Sequence, residues 1–348
     1  MKILIYGDGS LISNDLSIAD GFRENGHEVF FFDEQKIYND ICKKNIPSNR
    51  YMQKITHRFF WRTLATQLQD EFIKIVSEKQ PNYIYILKGW LLCPKTIIAI
   101  QNSGIKIVCF NPDNPFNTWH FGISNTWVRK SIPLYNIYFI WGKFLIPQLK
   151  KAGAKKIVYL PFAHDSKRHY PITISKKEKE YFGSDVAFIG SWDKEREMWL
   201  STLCTECFSF KIWGNAWEKA SKKIQKKWMK REVIGEDFSR VVNSSKIILN
   251  IIRKQNGNSH NMRTFEVPAC RGFLLGSRTK EQLVFFKEGV EMEYFQTIDE
   301  LKSKIFYYLL HEIERKSIAH NAFKAVQKHT FIERARKVTN MLYECYPY

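Results

Sequence analysis

The sequence predicts an α/β protein built from two successive halves, each with a mainly parallel sheet. Three observations carry that prediction. From Lys2 to Leu160, short runs rich in Ile, Leu, Val and Phe alternate with helical patterns, as crossover helices on a parallel sheet require. Between Pro161 and Phe182 the rhythm stops, in a stretch holding Pro161, His164, Asp165, Pro171 and a Lys/Glu cluster. At Asp185 it restarts. A chain of 348 residues is long enough for two domains with separate cores. The expected layout is a first domain over 1–165, a linker over 166–184, a second domain over 185–325 and a final helix, 326–348, returning toward the first.

Residues 2–6 alternate little, as in a strand covered on both faces. Gly7-Asp8-Gly9-Ser10 follows, then a helical pattern over 14–24 and a strand over 29–32. Strand, glycine loop, helix, strand is a Rossmann-like opening. The glycines lack the full G-x-G-x-x-G spacing, so Gly9 either meets a phosphate or makes a tight turn. The spacing of Phe59, Leu64, Leu68, Phe72 and Val76 predicts one long helix over 50–79, stopped by Pro81. Next come a strand over 83–87, a helix over 94–101 closed by Asn102-Ser103-Gly104, and a strand over 105–110 running into Asn111-Pro-Asp-Asn-Pro115. Strands over 135–141 and 156–160 flank a short helix at 145–151.

The second half opens with a strand over 185–189, a Gly190-Ser191 turn, a helix through Leu203 and a strand over 208–213 ending at Gly214. A basic helical stretch over 218–230 and a helix over 238–244 follow. The stretch from Asn250 to Leu275, NIIRKQNGNSHNMRTFEVPACRGFLL, then joins a buried strand (246–250), a polar loop, an amphipathic segment (262–270) and another strand (273–275). Ligands in open α/β sheets bind beyond the carboxyl ends of the strands, where this loop falls. Asn261, Arg263 and Glu266 offer an amide, a cation and a carboxylate, which suit a ligand bearing a phosphate and a diol. An element at 281–286, a short edge at Tyr294-Phe295 and two closing helices, 298–314 and 319–343, complete the chain.

A net charge of +19 points to a polyanionic partner or to a Lys-rich proteome. No zinc, RRM or KH signature accompanies it, and α/β halves match helix-turn-helix proteins poorly, so nucleic acid is not the expected partner. Seven scattered Cys form no disulfide framework. Cys204 and Cys207 make one C-x-x-C with no second pair, which reads as two residues on one helix face. The residues before Gly7-Asp8 are too few for a signal peptide. No apolar run approaches the roughly 20 residues of a membrane span. The expectation is a cytoplasmic protein, free or peripheral on the inner face of the membrane. Lys219–Arg231, with Trp217, Ile224 and Trp228 interspersed, is either a basic amphipathic helix for an anionic membrane surface or a solvated basic face.

Several segments form a recognisable set in this order: Asp185-Val-Ala-Phe-Ile-Gly-Ser191 with Arg196, Ile212-Trp-Gly214, Ser245-Lys-Ile-Ile-Leu-Asn250, Asn261-x-Arg263-x-x-Glu266, Ala269-x-x-Gly272, and a tail through His329-Thr330-Phe331 to Arg334. Over roughly residues 185–340 the chain resembles the CgeB-like (spore-maturation-protein) glycosyltransferases of the GT-B group. The resemblance implies two Rossmann-like domains facing across a cleft, with a nucleoside-diphosphate sugar, of UDP or GDP type, held mostly by the second. It implies transfer to an acceptor bound mostly by the first, here a cell-surface glycan or a lipid-linked molecule. Related retaining enzymes carry an E-x₇-E motif whose second Glu grips the ribose. Glu266 matches it, but Asn258 stands where the first Glu belongs.

Each candidate has a chemical role and a plainer one. Glu266 can accept both ribose hydroxyls or merely open a helix. Arg196, Arg263 and, more weakly, Lys194 can stabilise the departing diphosphate or sit solvated on the surface. Gly190 and Ser191 can turn backbone N–H groups toward phosphates, and Gly214 belongs to the same expected nucleotide-sugar set. Asn261 bonds the ligand or caps the helix. His260 contacts the sugar or is solvated, as are His120 and His164. Asp113, in its Pro-bracketed loop, is a candidate base for the acceptor hydroxyl or a turn residue. Asp8 is a second candidate base. No metal or other cofactor is expected, since no Asp-x-Asp pair follows a strand and Arg can replace a cation.

Overall fold

The computed structural model describes all residues except 11–12, 46–49, 118–123, 204–206 and 347–348, and leaves aside the side chains of 50–60 and 255. It divides into two compact units, Met1–Pro161 with Phe331–Tyr348, and Phe162–Thr330.

The first unit is a six-stranded sheet of β1 (Lys2–Gly7), β2 (Glu28–Asp33), β3 (Tyr83–Leu87), β4 (Lys106–Asn111), β5 (Ile137–Ile140) and β6 (Ile157–Tyr159). All pairs are parallel, in the order β2-β1-β3-β4-β5-β6. β3 and β5 are buried along their whole length, which explains their unbroken apolar runs. The chain leaves β1 for one neighbour and returns to the other side as β3, so the carboxyl ends of β1 and β3 form a switch point.

Helix Phe331–Cys345 packs on helix Asn14–Glu24 in this unit. Gly21 makes the approach possible, since a Cβ there would lie 2.6 Å from the Phe331 carbonyl oxygen. Asn25 Nδ2 donates to Ile332 O at 2.9 Å, and Arg334 Nε donates to Pro161 O at 2.9 Å.

Two helices here escaped the sequence reading. Helix Glu34–Asn45 begins directly after β2 with no loop signal, its start held by Lys36 N donating to Asp33 Oδ1 at 2.9 Å. Helix Thr126–Ser131 is too short for periodicity and is capped by Asn125, which accepts from Trp127 N and Val128 N.

The second unit is a five-stranded sheet of β7 (Val186–Ile189), β8 (Phe210–Trp213), β9 (Ile247–Asn250), β10 (Leu274–Ser277) and β11 (Glu293–Phe295). Its pairs are also parallel, in the order β11-β10-β9-β7-β8. The winding repeats that of the first unit, with the switch point between β7 and β9. The expected linker holds a helix, Lys176–Phe182, closed at its start by a Ser175/Glu178 capping box.

The basic stretch is not the continuous helix anticipated. It is a 3₁₀ turn, Trp217–Lys219, and one helical turn, Lys222–Gln225, followed by a parallel bridge from Trp228 to Ile212 in β8. Trp217 and Ile224 are fully buried in the core of the unit. Two of the three apolar side chains interspersed with the lysines thus face the core, and Trp228 is partly buried against it. The two closing helices are three, Ile298–Leu310, Glu312–Val326 and Phe331–Cys345, the first pair separated at His311. Cys204 lies outside the described residues and Cys207 is exposed. Among the described residues no helix is long and apolar enough to cross a membrane.

Candidate functional site

At the β7/β9 switch point three arginines converge. Arg263, the first residue of helix Arg263–Ala269, donates from Nε to the carbonyl of Ile189 at 3.2 Å and lies 4.9 Å over the Phe238 ring. It is ion-paired with Glu266 one turn later. Arg196, from the helix after β7, donates from Nη1 to Ser191 O at 3.0 Å and lies over Phe188. Arg253, just beyond β9, is 3.6 Å from Asp193 Oδ2. Burial first, then repulsion from Arg253, lowers the pKa of Arg196 to about 9, with Arg263 adding to it, so the guanidinium remains cationic at neutral pH. The Nε atoms of Arg196 and Arg253 are buried without a hydrogen-bond partner among the described residues. Buried donors are normally satisfied, and like charges repel. Such a cluster is arranged for an anion.

Glu266 is buried, with Oε2 on Arg263 and Oε1 3.7 Å from His169 Nε2. His169 Nδ1 accepts the Asp165 N–H at 3.2 Å, which places the proton of the neutral ring on Nε2, toward Glu266. Burial lowers the His169 pKa and outweighs the attraction of Glu266, so the neutral ring is the form present at pH 7. His169 lies in the expected linker and carried no sequence signal. Arg253 lay inside the stretch singled out, but no spacing rule distinguished it.

Other expected members serve the scaffold. His260 is fully buried: Nε2 accepts the Phe162 N–H at 3.1 Å, so Nδ1 carries the proton and donates to Glu281 Oε2 at 2.8 Å. It anchors its loop and is neither solvated nor turned toward a ligand. Asn261 donates to Asn250 Oδ1 at 2.7 Å and accepts from Thr264 N at 3.3 Å, a capping arrangement. Gly190 donates its N–H to Trp213 O at 2.8 Å and accepts from Trp217 Nε1 at 2.9 Å, so it is not a phosphate donor. Gly214 has φ +145°, and a Cβ there would lie 2.1 Å from Gly190 O, so it lets β8 close against the β7 turn. Ser191, Lys194 and Asn258 are exposed. His164 is buried, and its N–H donates to His329 O. His120 lies outside the described residues.

The first unit gathers carboxylates at its own switch point. Asp8 N donates to Asp15 Oδ2 at 2.7 Å, and Asp8 Oδ1 accepts from Ser10 N. A Cβ at Gly9 would lie 2.2 Å from Asp33 Oδ2, so the loop passes close to that carboxylate. Asp113, past β4, is 2.7 Å from Lys88 Nζ and partly exposed. The turn it sits in is made by Asn111, which accepts from Asp113 N, and by Asn114, which accepts from Phe116 N. The side chain of Asp113 is therefore not the turn-maker. Burial raises Asp15 to about 7, with Asp8 and Asp33 adding to the shift, and burial raises Glu34 to about 8. Neither was a sequence candidate. Among the described residues no cluster of three or more His, Cys, Asp or Glu is placed to hold a metal ion.

Residues 194–340 match the family model described as glycosyl transferase-like. No curated protein matches the chain by sequence. Among solved structures, sucrose-phosphate synthase from Thermosynechococcus elongatus superposes with a TM-score of 0.70 at 10% identity, covering 99% of each chain. Anabaena HepE in complex with UDP-glucose gives 0.65 at 12%, covering 99% of this chain and 100% of the other. UDP-GlcNAc 2-epimerase from Neisseria meningitidis, bound to UDP-GlcNAc, gives 0.57 at 14%, covering 99% and 100%. At these identities the likeness speaks for the fold, and the fold is that of the GT-B glycosyltransferases. The segment matching the glycosyl transferase-like model contains Arg196, Arg253, Arg263 and Glu266.

Proposed function

We propose that the protein moves a sugar from a nucleoside-diphosphate sugar, of UDP or GDP type, to a cell-surface glycan or lipid-linked acceptor, as a relative of the CgeB-like enzymes. The observation that carries this reading is the arginine cluster, with the Nε atoms of Arg196 and Arg253 buried and without a hydrogen bond among the described residues. A departing diphosphate gains negative charge as the sugar–phosphate bond breaks, and fixed cations in a desolvated site stabilise that charge most. Glu266, oriented by Arg263 and His169, accepts the ribose hydroxyls. The complexes of HepE with UDP-glucose and of the Neisseria epimerase with UDP-GlcNAc support uridine as the base.

In this reading the first unit supplies the base. Asp113, 2.7 Å from Lys88 Nζ, takes the acceptor hydroxyl proton, with Asp8 the second candidate. The three guanidiniums provide the charge that a divalent cation provides elsewhere, so transfer should persist in EDTA. Calorimetric titration with UDP and GDP tests the reading directly. Binding that is lost in Arg253→Ala supports it, and no binding of either nucleotide sinks it. The likeness to an epimerase raises a second possibility, turnover of the donor with no acceptor present, which product analysis separates from transfer.

A further inference from the structure

At the amino ends of the second sheet, the pole away from the arginine cluster, lies a cavity of about 540 Å³. Ser184 and Asp185 before β7, Ser209 before β8, Lys246 before β9 and Phe273 before β10 line it. Five of its lining side chains are cationic and two are carboxylates. Lys246 pairs with Asp185 at 2.7 Å and Lys316 with Glu312 at 2.5 Å. Lys179, Arg271 and Arg315 have no carboxylate within ion-pair distance among the described residues. Ser244, 8% exposed, carries a buried hydroxyl with no hydrogen-bond partner among the described residues. A basic residue after a helix C-terminus offsets the dipole, which accounts for Lys246 and Arg271 singly. It does not account for three cations without a carboxylate partner, Arg315 donating to Tyr308 O and Arg271 reaching His320 Nδ1 at 3.2 Å, around a cavity with an orphan hydroxyl.

The helix that supplies Glu312, Arg315 and Lys316 to this cavity begins at a corner bearing two bare apolar side chains. Leu310 is 82% exposed and Ile313 is 88% exposed. Phe306 and Tyr307 in the preceding turn are half-exposed. Apolar tips beside a cationic cavity roomy enough for a phospholipid headgroup are complementary to a charged bilayer, whose surface presents phosphates above hydrocarbon.

We propose that this pole docks on an anionic bilayer, with Leu310 and Ile313 entering the interface and a phospholipid phosphate held by Lys179, Arg271, Arg315 and the Ser244 hydroxyl. A soluble phosphate compound would share the cavity chemistry but leaves Leu310 and Ile313 without a role. The membrane contact thereby moves from Lys219–Arg231, where Ile224 and the adjacent Trp217 are buried, to the other end of the unit.

Co-sedimentation with phosphatidylcholine vesicles, with and without phosphatidylglycerol, tests this. The full chain should sediment with the anionic vesicles only. Leu310→Ser with Ile313→Ser, and separately Lys179→Glu with Arg271→Glu, should each weaken binding by about tenfold or more. These side chains are exposed, and unchanged melting temperatures check the fold. Lys222→Glu with Lys226→Glu should bind vesicles as the wild type does. Glu266→Gln should also leave vesicle binding unchanged, so failure of the nucleotide reading is visible separately. No sedimentation with anionic vesicles, or equal sedimentation of both double variants and wild type, overturns the proposal. So does calorimetric binding of inorganic pyrophosphate in the cavity without vesicle binding.

Discussion

Arg263 Nε reaches the carbonyl of Ile189 at 3.2 Å, tying the first residue of the helix after β9 to the last residue of β7. The same guanidinium holds Glu266, so one side chain sets both the spacing of the switch point and the position of the carboxylate. Glu266→Gln keeps the shape and removes the charge. It should weaken nucleotide binding by about ten- to a hundredfold, the range for a charge-assisted hydrogen bond. Calorimetry reads this, and unchanged affinity would remove the ribose role. Arg263→Lys should lose much of the same affinity, because an ammonium cannot serve Ile189 O and Glu266 in one plane.

Arg253→Ala should act in opposite directions on stability and catalysis. Without nucleotide the variant should melt higher, since a buried donor lacking a hydrogen bond and a repulsive neighbour of Arg196 are gone, which outweighs the long 3.6 Å ion pair to Asp193. With nucleotide present the ligand-induced shift should shrink. Turnover should fall by about 10²- to 10³-fold, as for loss of one oxyanion donor. Melting curves with and without UDP decide it. A lower melting point for the ligand-free variant would mean that Arg253 is structural.

Asp113→Asn should abolish transfer while leaving UDP binding as in the wild type, because Asp113 belongs to the first unit. Retained turnover would exclude it as the base and leave Asp8 to be tested in the same assay.

Asp15, held at about 7, and Glu34, held at about 8, give stability a pH dependence of known sign. Both are raised above their unfolded values, so the native state keeps protons that the unfolded chain has released. Their contribution is complete below about pH 4 and is lost as pH rises through 7 to 8, at up to about 1.4 kcal/mol per pH unit for each group. Melting temperatures should therefore decline from pH 5 to 8.5. Glu34→Gln should flatten that decline and melt above the wild type at pH 8.5. An unchanged slope would place the titration elsewhere.

The strands were legible in the sequence because a sheet buried on both faces writes continuous apolar runs, as at 83–87 and 247–250. The capping box Ser175-x-x-Glu178 was written there too, although the surrounding Lys and Pro made the segment read as linker. Arg196, Arg263 and Glu266 were singled out by the family resemblance and by their place after strand ends, and they meet at one switch point or beside it. His169, Arg253 and Asp15 were not, since their significance lies in what surrounds them after folding. His260 misled for the same reason. A polar loop in one dimension became a buried anchor once Phe162, Phe265 and Phe285 closed around it.

Gly21 gives the final helix its seat, and that helix closes a unit whose other residues end at Pro161. The first unit is thus discontinuous in the chain, with residues 162–330 inserted within it. During synthesis the second unit emerges whole before the first receives its last element. The apolar seat around Ile18, Ala19 and Phe22 stays uncovered through that interval.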